Sequence, residues 1–145
     1  MQTISDIMTR DVRSVSPQET VMRAAQIMDE LNVGSLPVCD GSKLIGMVTD
    51  RDITVRATAA GMAPDQAHVS DVMSQQVRWC FENQPVDEVM DQMSDSQIRR
   101  VPVLDHDSHQ LIGIVSLGDL ATKHSAEVDR TLENISEPSQ PDRPH

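Results

Sequence analysis

One pattern is written twice along this chain, and that duplication constrains the fold more than any other feature. With Ser5 laid over Ser70, "ISDIMTRDVRSV" from Ile4 matches "VSDVMSQQVRWC" from Val69, sharing Ser, Asp, Met, Val and Arg. "VMRAAQIMDELN" then falls on "VDEVMDQMSDSQ", and "LPVCD" on "VPVLD". The second copy carries two extra residues in a turn, after which "LIGMVTDRD" falls on "LIGIVSLGD" and Gly46 on Gly113. A repeat on this scale is one supersecondary unit used twice. A unit of about sixty residues buries little core alone, so the two copies are expected to pack around a pseudo-twofold axis that leaves two equivalent clefts.

Each copy reads as β-α-β-β-α, an α/β (α+β) fold built in tandem. Val12 to Val15 is a short strand. Ser16, Pro17 and Thr20 supply turn and cap chemistry before a helix whose stripe is Val21, Ala24, Ala25, Met28 and Leu31. In the second copy the stripe is Val86, Val89, Met90 and Met93, with Pro85 suited to a first helical turn. "LPVC", the turn residues Asp40-Gly41 and "LIGMVT" form a hairpin. A second helix is expected from about Asp50 to Ala60, stopped by Gly61. The divisions are residues 1–65 for the first repeat, 66–126 for the second, and 127–145 for a polar tail. In that tail Val128, Leu132 and Ile135 line one face of a short helix before a disordered end.

The chain carries twelve Lys and Arg against 23 Asp and Glu, a formal charge of −11, which argues against a nucleic-acid surface. It has no apolar run of about eighteen residues, and its start lacks an apolar signal segment, so no membrane span is expected and the protein is read as cytoplasmic. With one Trp, one Phe, no Tyr and nine Met, the core must come from aliphatic side chains and adaptable Met. Cys39 and Cys80 lack CxxC spacing and read as free buried thiols, with a redox pair as the alternative. The turn "DHDSHQ" holds His106 and His109, which bind metal only if they converge with further ligands and are otherwise solvated loop residues. No nucleophile–base order or phosphate loop is present, so the chain is not read as an enzyme and no catalytic cofactor is expected.

The pattern from "DIMT" through "LPV-D" to "LIG-V-T-RD" resembles the CBS domain, and the pair resembles a Bateman module. The layout from about Ile4 to Ser125 is similar to small stand-alone bacterial two-CBS proteins of the hypoxic response type. The resemblance implies a regulatory, signal-transducing module. It would hold an adenine nucleotide (AMP, ADP, ATP or a related adenosyl ligand), form a homodimer, and pass ligand state to an unknown protein partner in trans. The alternative is a ligand-free dimerisation scaffold. The family's ribose and phosphate motif, G-h-x-h-[ST]-x-x-D, falls on Gly46, Thr49 and Asp52, and again on Gly113, Ser116 and Asp119. The resemblance also assigns the base pocket to Ser35, Leu36, Pro37 and Val38, then to Arg100, Val101, Pro102 and Val103. Ser14 lies beside the nucleoside, and Arg51, Arg99 and Arg100 are candidate phosphate partners.

Several of these residues have a second reading. Thr49-x-x-Asp52 and Ser116-x-x-Asp119 also read as capping boxes. A single copy favours the cap; two copies in matching contexts favour the ligand site, and one residue can serve both. Glycine in the strand admits either a ligand or a neighbouring backbone. The "PV" segments are also ordinary buried strands, and the arginines also ordinary surface charges. Trp79 stands where the first copy has Ser14, and is expected to fill the second pocket or to stack on a base. Gly118 replaces Arg51 and removes a positive charge, so the first site is expected to be the better one for an anion.

Overall fold

The structure, a computed structural model, describes residues 2–96, 99–116, 118 and 119. The elements are α1 (Ile4–Ile7), α2 (Val21–Leu31), β1 (Ser35–Asp40), β2 (Lys43–Thr49) and α3 (Asp50–Asp52), which runs on as a π-helical segment, Ile53–Thr58. After these come α4 (Val69–Val72), β3 (Cys80–Phe81), α5 (Val86–Ser96), β4 (Arg100–Leu104) and β5 (Leu111–Ser116). The mixed helix and strand content is that of an α+β fold. The polar tail, with Val128, Leu132 and Ile135, lies outside the described residues.

The chain divides into two compact units offset from the sequence repeats. Among the described residues, the central unit is Arg13–Val77, and the flanking unit joins those up to Val12 to those from Arg78 to Asp119. In the central unit, β1 and β2 form an antiparallel hairpin with Ser35 opposite Thr49 and Val38 opposite Gly46. Val15 bridges Val38 along one edge, and Ser74 bridges Met47 along the other. The flanking unit repeats this order: β3 runs parallel to β4, β4 pairs antiparallel with β5, and Thr9 bridges Ile114 on the outer edge. The strand expected over Val12–Val15 is thus reduced to a single bridge at Val15, while its counterpart β3 spans two residues.

Each hairpin is completed by the leading segment of the other repeat. Ile4 and Ser5 donate backbone N–H groups to the carbonyls of Gln84 and Glu82, and Val86 donates to Gln2. Equivalent bonds in the central unit run from Val69 to Glu19, from Ser70 to Pro17 and from Val21 to Ala67. The exchange reaches the core. Ile4 and Ile7 are 0% and 1% exposed among Val86, Val89, Val101 and Val103, and Val69 and Val72 are fully buried among Val21, Ile27, Val38 and Val48. Each such side chain contributes about 1.5–3 kcal/mol of burial.

The caps follow the sequence. The Thr20 hydroxyl accepts from the Arg23 N–H at 3.1 Å and opens α2. Asn32 takes a left-handed conformation (φ 58°) at its end, where the Val33 N–H reaches the Met28 carbonyl at 3.0 Å. The buried stripe of α2 is Val21, Ala24, Ile27 and Met28. Ala25 and Leu31, expected inside, are exposed: the core-facing line runs through Ile27, and Leu31 ends the helix just before the left-handed turn. The α5 stripe is as expected, with Val86, Val89 and Met93 buried and Met90 packed against them. Pro85 stands just before α5, its carbonyl accepting from Glu88 and Val89.

Candidate functional site

Each hairpin ends in a turn built the same way. In the central unit, Thr49 at the end of β2 accepts from the Asp52 N–H through its hydroxyl at 2.9 Å. Asp52 returns the bond by accepting from the Thr49 N–H through Oδ2 at 3.0 Å. In the flanking unit the Asp119 N–H donates to Ser116 Oγ at 3.1 Å, and the Ser116 N–H donates to Asp119 Oδ2 at 3.0 Å. Both are reciprocal capping boxes, so the capping reading is realised in both copies. The leading helices use half of the same device: Asp6 accepts from the Thr3 N–H and Asp71 from the His68 N–H.

A cap occupies only one oxygen of each carboxylate. Oδ1 of Asp52, whose side chain is 16% exposed, lies 4.0 Å from Nε of Arg56. Arg56 in turn donates through Nη1 to the carbonyls of Val72 and Met73 at 3.1 and 3.4 Å. Asp119 accepts from the Thr9 hydroxyl at 3.4 and 3.5 Å. Sequence reasoning missed Arg56 and Thr9. The spacing of Arg56 four residues after Asp52 is a helical ion-pair signal that was available; Thr9 reaches Asp119 only through tertiary folding.

The motif glycines have a definite role. A Cβ on Gly46 would lie 2.7 Å from the Ser74 carbonyl oxygen and 3.1 Å from Met73 Sδ. On Gly113 it would meet Met8 Sδ at 2.7 Å and the Thr9 carbonyl oxygen at 2.9 Å. Of the two readings of these glycines, the close neighbour in the structure is the exchanged leading segment, through a backbone carbonyl at both positions and a Met side chain beside it.

The remaining sequence candidates divide by burial. Leu36, Pro37 and Val38, with Val101, Pro102 and Val103, are buried strand residues; Ser35 and Arg100 stand at the strand starts, opposite Thr49 and Ser116. The Pro37 carbonyl accepts from the Val15 N–H at 3.0 Å. Arg51 is exposed and makes no ion pair with another described residue; Arg99 and Arg100 are exposed as well. Ser14 is half-buried and hydrogen-bonds to Cys39. A pocket of about 170 Å³ beside the first turn is lined by Met28, Asp29, Asn32, Val33 and Asp50. Its two carboxylates make it ill-suited to a phosphate.

Both cysteines are free and buried. Burial raises the thiol pKa of Cys39, against a lowering hydrogen bond from Ser14, and pushes Cys80 up to about 12. Trp79 is 42% exposed and packs edge-on against Phe81, with ring centroids 4.9 Å apart, and lies 6.2 Å from His109. His106 and His109 each lie 5.2 Å from the Phe81 ring. The indole therefore keeps company with the turn end of the β4–β5 hairpin, whereas Ser116 closes the opposite end of β5. Within that turn, the N–H and then the hydroxyl of Ser108 hold the Asp105 carboxyl below its ordinary value. No group of three or more His, Cys, Asp or Glu among the described residues could hold a metal ion. No helix among them is long and apolar enough to cross a membrane.

Comparison with known proteins agrees with this geometry. The sequence model of the CBS domain family matches residues 4–57 and again 69–125. The CBS domain-containing protein YhcV of Bacillus subtilis is 41% identical over 138 residues, covering 94% of this chain and 96% of that relative. Hypoxic response protein 1 of Mycobacterium tuberculosis is 39% identical over 122 residues, covering 83% of this chain and 84% of the relative. A crystal structure of Hypoxic Response Protein I with two coordinated zinc ions superposes at a TM-score of 0.75, over 83% of this chain and 97% of that one. The CBS domain pair of protein MJ0100, solved in complex with 5′-methylthioadenosine and S-adenosyl-L-methionine, is 29% identical. It superposes at a TM-score of 0.67 over 83% of this chain and 94% of that one.

Proposed function

This chain belongs to the CBS-domain family, and from that premise we propose that it is a regulatory module that binds an adenosine-containing ligand and signals its presence to a partner protein in trans. The carrying observation is the matched pair of turns at Thr49–Asp52 and Ser116–Asp119, each with a half-buried carboxylate held in place by its own cap. A carboxylate fixed in this way accepts the two hydroxyls of a ribose without first having to order itself. The adenosyl ligands bound by the related MJ0100 pair support the ligand class. On this reading Thr49 and Ser116 face the phosphate or its replacement, and the segments Ser35–Val38 and Arg100–Val103 supply backbone and aliphatic surface to the base. Ser14 lies beside the nucleoside, and Arg51, Arg99 and Arg100 supply positive charge. The module is cytoplasmic, homodimeric and without catalytic turnover.

A thermal-shift panel with AMP, ADP, ATP, NAD and S-adenosyl-L-methionine tests the proposal. A ligand at a hundred times its Kd adds about 2.7 kcal/mol to stability. At least one of the five should raise Tm, with no product formed on prolonged incubation; hydrolysis that depends on Asp52 or Asp119 would overturn the regulatory reading. If none shifts Tm, the scaffold reading takes its place. One observation already favours that alternative: the motif's Gly, Ser/Thr and Asp all have structural work within the fold itself.

A further inference from the structure

The Asp52 carboxylate divides between two neighbours. Oδ2 is held by the Thr49 N–H at 3.0 Å, while Oδ1 faces Arg56 at 4.0 Å. The same guanidinium donates to the carbonyls of Val72 and Met73, at the end of α4, where a helix leaves its last acceptors without partners. The next residue, Ser74, pairs with Met47 and presents the carbonyl that excludes a Cβ at Gly46. The motif's aspartate and its glycine therefore both lead to residues 72–74. The flanking unit makes the equivalent connection with a hydroxyl: Thr9 donates to Asp119, pairs with Ile114 and presents the carbonyl that excludes a Cβ at Gly113.

We infer that Arg56 is a positioning residue that relays occupancy of Asp52 to residues 68–77, an inference that rests on the adenosyl-ligand reading above. A ribose diol donating to Asp52 draws chiefly on Oδ1, because on Oδ2 one lone pair already accepts from the Thr49 N–H. The negative charge that Oδ1 offers Arg56 is then shared with two hydroxyls. The guanidinium shifts its weight between Asp52 and the α4 carbonyls, and their capping changes with it. Residues 68–77 run directly into residue 78, where the chain passes from the central unit to the flanking one. Arg suits this role because its fork bridges a carboxylate and a carbonyl pair at once, which a Lys ammonium does not.

Hydrogen exchange over residues 68–77, measured with and without AMP on wild type, Arg56→Met and Arg56→Lys, tests the relay beside calorimetric titration with AMP and with adenosine. Arg56 is exposed, so both variants should fold. In wild type, AMP should change exchange at 68–77 on the order of three- to tenfold, the scale of one hydrogen bond. In Arg56→Met and Arg56→Lys, AMP should still bind and still alter exchange at Thr49–Asp52, but the response at 68–77 should vanish. A full response at 68–77 in Arg56→Met overturns the relay. So does a loss of AMP affinity with adenosine affinity intact, which would put the guanidinium on the phosphate. If wild type binds neither compound, the ligand reading fails instead, and the contact is judged without ligand: Asp52→Asn and Arg56→Met should then raise exchange at 68–77 non-additively, and additive effects would overturn it.

Discussion

At Asp52 the cap takes one carboxylate oxygen and leaves the other to an exposed arginine, so a single substitution separates structural from binding roles. Asp52→Asn keeps an acceptor for the Thr49 N–H and should cost at most about 1 kcal/mol in urea unfolding of the ligand-free protein. If the spare oxygen serves ribose, the same change should weaken AMP about tenfold or more by calorimetry, since hydrogen bonds to charged groups contribute about 1.5–3 kcal/mol. Equal stability loss with unchanged affinity would sink the ribose assignment. Cys80 gives a pH signature. The folded thiol keeps its proton up to about 12, whereas the unfolded chain releases it around the ordinary value of 9.0. Deprotonation therefore favours the unfolded state first: this contribution is intact below pH 9.0 and is lost progressively as pH rises towards about 12. Wild type should lose stability faster than Cys80→Ala between about pH 9 and pH 11 in urea titrations; parallel slopes would count against the burial argument. Residue types were legible in the sequence here, since Thr-x-x-Asp specifies a cap locally. Of the partners, Arg56 carried a local signal in its spacing four residues after Asp52, whereas Thr9 was not legible, because it meets Asp119 from 110 residues away.

At the scale of elements, the exchanged leading segments dominate. Gly46→Ala places a methyl 2.7 Å from a backbone oxygen that can move only by unpairing Ser74 from Met47. The expected cost is about 1–3 kcal/mol, with faster amide exchange at Met47 and Ser74. At Gly113 the nearest atom is the flexible Met8 sulfur, but the Thr9 carbonyl follows at 2.9 Å, so Gly113→Ala should also destabilise. Ala at either position without loss of stability would show that the edge pairing yields. The helices show how far periodicity carries. The α5 stripe was readable in full, whereas in α2 the same period admitted two neighbouring lines and packing chose the one through Ile27. The π-helical turns of Ile53–Thr58, with the Ala59 N–H on the Thr54 carbonyl, had no sequence signal, because a wider turn reflects packing rather than composition.

For the whole molecule, the central unit exposes Met22, Leu31 and Val55 at 41%, 46% and 47%. Of the four Met on α2 and α5, Met28 and Met93 are core and Met90 is packed against core, which leaves Met22 facing outward. If the homodimer proposed above uses this surface, the double variant Met22→Glu/Leu31→Glu should halve the mass seen by light scattering without lowering Tm by more than a few degrees. An unchanged mass would place the contact elsewhere. The sequence by itself determined the duplicated unit, its hairpins, the caps of its helices and the motif at each hairpin's end. All of these rest on interactions a few residues apart, where propensity and spacing carry the information. Only the tertiary structure decided which leading segment completes which hairpin. "ISDIM" and "VSDVM" present the same apolar spacing, so either could seat on either core as far as local pattern goes. The choice belongs to long-range packing: Ile4 and Ile7 are buried with Val89, and Val69 and Val72 with Val48. That exchange explains why the motif needs its glycines, and no count along the chain contains it.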